Sequence, residues 1–245
     1  MDNITSIALS RLVAQQRATD VTAINLANAG TTGFHAERMV FSDWLVRAQG
    51  AKVPGDSTIT FTQDRATYRD TQTGPLQHTA NPLDIAIGGD GYFSVQTPAG
   101  VRLTRAGHFS TSATGEIVDG SGNALLTTSG GKLQLSRTDH DITIAADGTV
   151  TSNNGTIGRI GVVKPDNAQG LRAEGGQLSL SGSPSTPVAT PQLIQGAIEG
   201  SNVQPTVELT RMMSDLREFQ FTSELVQAEA DRMRSAIDKL TQMRS

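Results

Sequence analysis

Asn25-Leu-Ala-Asn-Ala-Gly-Thr-Thr-Gly-Phe34 closes a stretch, residues 4–28, that contains neither Pro nor Gly. The ten residues spell a helix end. Asn28 and Gly30 tolerate the left-handed backbone of a C-cap, and Gly33 lets the chain turn again before Phe34 buries its ring. Upstream, Ile4, Ile7, Ala8, Ala14, Ala18 and Val21 fall on one helical face. This predicts an amphipathic helix over residues 4–28, about 37 Å long at about 1.5 Å per residue. Its alanines permit close approach of another helix, and its apolar face needs a partner.

A partner is legible at the other end of the chain. Leu209, Met212, Leu216, Phe219, Ser223, Val226, Ala230, Met233, Ile237 and Leu240 alternate spacings of three and four without a break. Flanked by Glu208, Arg211, Arg217, Glu224, Asp231, Arg234 and Lys239, this seam predicts a coiled-coil-like helix over about 206–242. Pro205 fits at its start, where a missing backbone N–H costs least. Met212, Met213, Met233 and Met243 read as interhelical packing.

Residues 81–200 have no helical period. Short alternating runs such as Leu83-Asp-Ile-Ala-Ile87, Tyr92-Phe-Ser-Val95 and Asp141-Ile-Thr-Ile144 are separated by Asp90-Gly91, Asp119-Gly120, Asp147-Gly148 and Asn154-Gly155, which are hairpin signals. The expected fold class is therefore α+β: discontinuous, coiled-coil-like N- and C-terminal helices around a central all-β domain of antiparallel strands. The expected organisation is an N-terminal helix in 1–34, an extended connector in 35–80, the β domain in 81–200 and a C-terminal helix in 201–245. The connector holds Trp44 and a β-prone Thr58-Ile-Thr-Phe-Thr62. Trp44 suits a subunit boundary as well as it suits a local core.

Composition narrows the function classes. One Trp, two Tyr and seven Phe beside 25 Gly leave a core of Ile, Val, Leu and Ala, which suits tight-turned β-structure and not a deep catalytic pocket. A net charge of -4 without a basic stripe disfavours nucleic acid and anionic lipid. No run approaches the ~20 apolar residues of a membrane span, so no direct membrane insertion is expected. The N-terminus lacks the pattern of a cleaved secretory signal. Zero cysteines exclude disulfides and thiolate chemistry.

Nor do the remaining motifs carry chemistry. His35, His78, His108 and His140 show no i, i+4 pairing, and are expected as polar loop or surface residues, with no metal. Gly88-Gly-Asp-Gly91 lacks the Gly-Lys-[Ser/Thr] of a phosphate loop and the third Gly of a dinucleotide fingerprint. The run beginning Asp119-Gly-Ser-Gly-Asn has Ala124 where a calcium loop needs Gly, and Gly130 where it needs Glu. Asp139 and Asp141 sit in a polar turn, and there is no Gly-x-Ser-x-Gly elbow. No catalytic residue and no cofactor are expected.

In four ordered places the chain resembles the rod and hook proteins of the bacterial flagellum. The Asn-Leu-Ala-Asn run with Thr-x-Gly-Phe is similar to their N-terminal signature. Thr73-Gly-Pro-Leu-Gln-His-Thr-Ala-Asn-Pro-Leu-Asp-Ile-Ala-Ile-Gly-Gly-Asp-Gly-Tyr-Phe93 looks like the segment that introduces their β domain. Thr104-Arg-Ala-Gly-His-Phe109 resembles their Thr-Arg-x-Gly-x-Phe, with Asp147-Gly-Thr-Val150 at a further family turn. Glu199-Gly-Ser-Asn-Val-Gln-Pro205 with Arg217-Glu-Phe-Gln220 resembles the C-terminal signature, although many members have an aromatic-Glu pair where this chain has Phe219-Gln220.

The resemblance implies a structural subunit of the flagellar rod, exported through the type III apparatus without a cleaved signal and assembled helically across the periplasm into a torque-carrying shaft. Its implied partners are copies of itself, other proximal and distal rod proteins, and the export apparatus. Chain length and the helix running to Leu240 are most like the proximal rod members, with the distal rod as the alternative. Asn25, Leu26, Asn28, Gly30, Thr32, Gly33 and Phe34 would then fix the bend after the first helix. Leu209, Met212, Leu216, Phe219, Val226, Met233 and Ile237 would pack the wall of the tube. A different class remains open at this point: a secreted oligomeric β-domain binding module whose helices trimerise it.

Overall fold

Helix α1 spans Asp2–Ala27, close to the predicted 4–28. The computed structural model describes residues 2–47, 58–174, 178–181 and 184–242. Ala8, Ala14, Gln15, Thr22 and Asn25 are buried along one face of α1, while Leu9, Val13 and Ile24 are exposed on another. The helix does not end as its sequence suggests. Neither Asn28 nor Gly30 is left-handed; both lie in an exit turn closed by the Thr31 N–H on the Asn28 carbonyl at 3.0 Å. Gly33 is the residue that turns, at φ +68°.

Residues 35–80, expected as an extended connector, contain β1 (Glu37–Arg47) and β2 (Thr58–Arg69), which pair in a sheet of their own. Trp44 lies on β1, and its side chain falls outside the described residues, as do those of Ile4, Ile7 and Leu240 and the whole of Met243. Helix α2 runs over Pro205–Gln242, with Pro205 its first residue and the Gln204 carbonyl accepting from Val207 and Glu208 N–H, both at 3.1 Å.

By its contacts the chain divides into two compact units. The first comprises Met1–Leu26, Glu37–Tyr68 and Gln204–Ser245; the second comprises Ala27–Ala36 and Arg69–Val203. In the first unit, Gln15 Nε2 donates to Glu218 Oε2 at 3.1 Å, so α1 and α2 touch through a polar contact.

The second unit is β-structure, and its strand pairings are antiparallel. Its nine-stranded sheet runs in the order Leu171–Glu174, Leu178–Ser181, Gly100–Thr104, Tyr92–Thr97, Ala124–Leu125, Ile117–Asp119, Phe109–Thr111; Val162–Pro165 also pairs with Tyr92–Thr97, and Ser185–Pro187 with Val162–Pro165. Thr143–Ile144, Thr149–Ser152 and Gly155–Arg159 form a separate three-stranded sheet around the predicted Asp147-Gly148 and Asn154-Gly155 turns. Asp90-Gly91 is not a hairpin. The strand before it, Ile85–Ile87, pairs with Leu193–Gln195 and belongs to a different sheet from Tyr92–Thr97.

The core of this unit is aliphatic, as the composition requires: Ile85, Ile87, Val95, Ile117, Leu125, Val150 and Ile160 are fully covered around an edge-to-face Phe93–Phe109 pair with centroids 5.3 Å apart. Strand Ala197–Glu199 pairs with Leu76–His78. This pairing carries Glu199 into the interior beside the segment that follows α1.

Candidate functional site

Glu199 is the point at which the quoted motifs meet. Its carboxylate is fully buried and accepts from His35 Nε2 at 2.9 Å, from the Gly74 N–H at 3.0 Å and from Arg105 Nη1 at 3.0 Å. Its own carbonyl accepts the Gly33 N–H at 2.8 Å. These partners come from three parts of the chain. His35 and Gly33 belong to the turn after α1, Gly74 to the segment entering the β domain, and Arg105 to Thr104-Arg-Ala-Gly107.

Burial by itself pushes the Glu199 carboxyl up. The His35 hydrogen bond, the Arg105 charge and the Gly74 N–H outweigh it and hold the group below the ordinary glutamate range. Arg105 is fixed in turn by the Ile87 and Gly89 carbonyls at 3.2 and 2.7 Å, and its guanidinium lies 5.6 Å from the Tyr92 ring centre. His35 lies in the loop after α1, one of the two placements expected for it, and is buried there because the carboxylate supplies its polar partner. Gly33 is required twice over: its φ is positive, and a Cβ would fall on the Arg105 carbonyl carbon and the Ala106 nitrogen.

Close by, Phe34, Ala36 and Val203 form a small buried cluster with Ala29 against it. Thr32 is half-buried and Gly30 exposed, with nothing within 4 Å of where its Cβ would be.

In the first unit, Asn25 reads the start of β1 as a second strand would. Its Oδ1 accepts the Glu37 N–H at 2.9 Å, and its Nδ2 donates to the Glu37 carbonyl at 2.8 Å and to Glu208 Oε2 at 3.5 Å. Glu208 is fully buried and bridged by Arg38 and, at 3.6 Å, by Arg211. Leu26, the next residue on α1, is half-buried.

Along α2 a polar column runs Glu208, Asp215, Thr222, Glu229 at seven-residue spacing, with Glu208 and Thr222 buried and Asp215 and Glu229 half-buried, beside half-buried Met212, Val226 and Met233. On the other side of those methionines and valine, the predicted seam residues Leu209, Leu216 and Ile237 are 46%, 45% and 60% exposed, and Phe219 also faces solvent. Met212, Val226 and Met233 are half-buried within the subunit. Leu209, Leu216, Phe219 and Ile237 are left facing solvent, because α2 turns a polar column inward.

A cavity of about 320 Å³ in this unit is lined by Thr22, Asn25, Arg38, Tyr68, Arg211 and Asp215. Burial pushes the Asp215 carboxyl up, with Arg211 opposing. Among the described residues no group of three His, Asp or Glu could hold a metal ion, and no helix is long and apolar enough to cross a membrane.

Residues 6–35 match the family described as flagella basal body rod protein, residues 86–152 the D1 domain of the flagellar hook protein FlgE/F/G, and residues 194–239 the C-terminal part of the flagellar basal body rod FlgEFG proteins. Similarity extends over nearly the whole chain. The flagellar basal-body rod protein FlgF of Caulobacter vibrioides is 34% identical, with 98% of each chain covered. FlgF of Mesorhizobium japonicum is 33% identical over 96% of each. FlgG of Bacillus subtilis is 31% identical over 86% of this chain and 89% of its own. The chain belongs to the flagellar basal-body rod protein family. It is a structural subunit of the rod, and the family is structural.

Within this rod subunit, sequence reading missed Glu199, His35, Arg105, Glu208 and Asn202 as organising residues. Nothing in their local sequence marked them, because the groups they hold together lie mostly far apart along the chain.

Proposed function

We propose that the chain is a proximal-rod subunit that assembles by a repeated screw operation into the shaft carrying torque from motor to hook. An interface of unlike faces that does not close into a ring propagates as a helical filament. The observation that carries this reading is the exposed apolar surface at Leu209, Leu216, Phe219 and Ile237 on α2, with Leu9, Val13 and Ile24 exposed on α1. Apolar surface of this extent on a long helix awaits other helices. Coiled-coil-like packing of these columns between neighbouring subunits would bury it.

On this reading Asn25, Leu26, Asn28, Gly30, Thr32, Gly33 and Phe34 set the bend after α1, and Leu209, Met212, Leu216, Phe219, Val226, Met233 and Ile237 pack between subunits. The partners are copies of the chain and neighbouring proximal and distal rod proteins. The subunit reaches them through the type III export apparatus, and it catalyses no reaction. Similarity to several FlgF chains supports the proximal position.

Deletion of the gene, followed by electron microscopy of purified basal bodies, tests the proposal. Basal bodies truncated before the distal rod support it, truncation beyond that point moves the subunit distally, and complete rotating flagella refute it.

A further inference from the structure

Three stretches of the second unit, 27–36, 69–75 and 199–203, adjoin every point at which the chain passes between the two units, namely 26/27, 36/37, 68/69 and 203/204. A compact unit tethered by single free peptides swivels, since relative motion is the default for joined domains. These three stretches are not free. Asn202 Oδ1 accepts the Ala36 N–H at 2.7 Å, while Asn202 Nδ2 donates to the Gln72 carbonyl at 2.8 Å and the Asp70 carbonyl at 3.3 Å. The Asn202 N–H reaches the Phe34 carbonyl at 3.3 Å, and the Asp70 N–H reaches the Ala36 carbonyl at 2.8 Å. Glu199 repeats the pattern three residues earlier, tying His35, Gly33 and Gly74 together.

We propose that Asn202, backed by Glu199, is a positioning residue: a clasp that binds the three linking stretches into one stiff anchorage, so that torque loaded on the helices is not lost in independent twisting of the strands of chain. This rests on the rod reading. The amide side chain is specific to the task. It offers an acceptor to one stretch and two donors to another within a single short side chain, which neither Asp nor Ser can do. Asp keeps the acceptor for Ala36 but sets an oxygen against the Gln72 and Asp70 carbonyls.

Hydrogen exchange on the purified full chain is the first test, comparing wild type with Asn202→Asp, Asn202→Ser and Ile160→Val, the last a remote core truncation. The clasp predicts exchange roughly tenfold faster or more at the amides of Ala36, Asp70 and Gly74 in both Asn202 variants, with Phe93 and Val95 unchanged. Ile160→Val should not reproduce that local pattern. Unchanged exchange at Ala36 and Asp70, or acceleration spread evenly over the unit, overturns the clasp.

Swimming speed in media of rising viscosity then tests the mechanical part. Cells carrying Asn202→Ser should assemble rods and slow more steeply with load than wild type. Equal slopes overturn torque transmission through the clasp while leaving the rod reading, which the gene deletion tests separately.

Discussion

His35 Nε2 lies 2.9 Å from Glu199 Oε1, and both side chains are removed from solvent, at 3% and 0% exposure. A buried carboxylate with a histidine on one oxygen and an arginine on the other persists only if its hydrogen bonds are complete, and here the Gly74 N–H completes them. That requirement ties three distant parts of the chain to one another.

Acid should therefore loosen the second unit in a defined window. The folded pKa of Glu199 is lowered below its ordinary value of 4.5, so the stability it contributes is present above that value and lost as pH falls through the lower, folded one. Urea midpoints followed by far-UV circular dichroism should change little through Glu199 from pH 7 to about 5 and fall below about 4.5. Glu199→Gln should cost about 3 kcal/mol at pH 7, by leaving Arg105 without its buried counter-charge, and should flatten that acid limb. An acid limb of unchanged steepness in the variant would assign it to other carboxylates.

Two glycines three residues apart, Gly30 and Gly33, should behave oppositely. Gly33 is left-handed and its Cβ would overlap the Arg105 and Ala106 backbone, so Gly33→Val should cost about 3 kcal/mol or more and abolish motility. Gly30 is not left-handed and has open space around it, so Gly30→Ala should be neutral or stabilise by about 0.5 kcal/mol. Thermal midpoints of the two variants decide. A destabilised Gly30→Ala would mean that the exit from α1 depends on Gly30 in a way its geometry does not reveal.

The exposed column on α2 separates assembly from folding. Leu209→Glu with Leu216→Glu removes apolar surface already facing water, so monomer stability should stay within about 0.5 kcal/mol of wild type. Trp44, the chain's one Trp, lies on β1 in the first unit and offers a fluorescence probe of that unit's unfolding. The same double variant should leave cells without complete rods. Normal basal bodies in that strain would remove the column from the interface.

What the sequence made legible was whatever depends on period and local backbone preference. The two long helices, the antiparallel strands and the positive φ of Gly33 follow from spacing and turn chemistry alone. The spacing on α2 also singled out Met212, Val226 and Met233, which are half-buried in the subunit. It could not show which flank of them turns inward, because hydrophobicity points to Leu209, Leu216 and Ile237, whereas the fold satisfies Glu208 with Arg38, Arg211 and Asn25 and so covers the polar flank. Convergence on Glu199 was hidden for the same reason. Its partners lie 164, 125 and 94 residues away along the chain, and nothing local marks them.

The Asn25 and Glu208 pair yields a pH test whose sign is opposite to that of Glu199. Asn25 Nδ2 donates both to the Glu37 carbonyl and towards Glu208 Oε2, so Asn25→Asp replaces a donor by a second carboxylate beside a buried one. Both burial and the Glu208 charge would raise the folded pKa of that new carboxyl above its unfolded value. A group raised in this way does least harm below its unfolded pKa, and its penalty grows as pH rises through the folded one. Asn25→Asp should therefore destabilise the first unit strongly at pH 7, by about 2 kcal/mol or more, and less relative to wild type near pH 4, where a proton restores the missing donor. Trp44 fluorescence in urea at both pH values measures the difference. A penalty independent of pH would mean that the Asn25 donor matters to Glu37 alone and that Glu208 is held by its arginines.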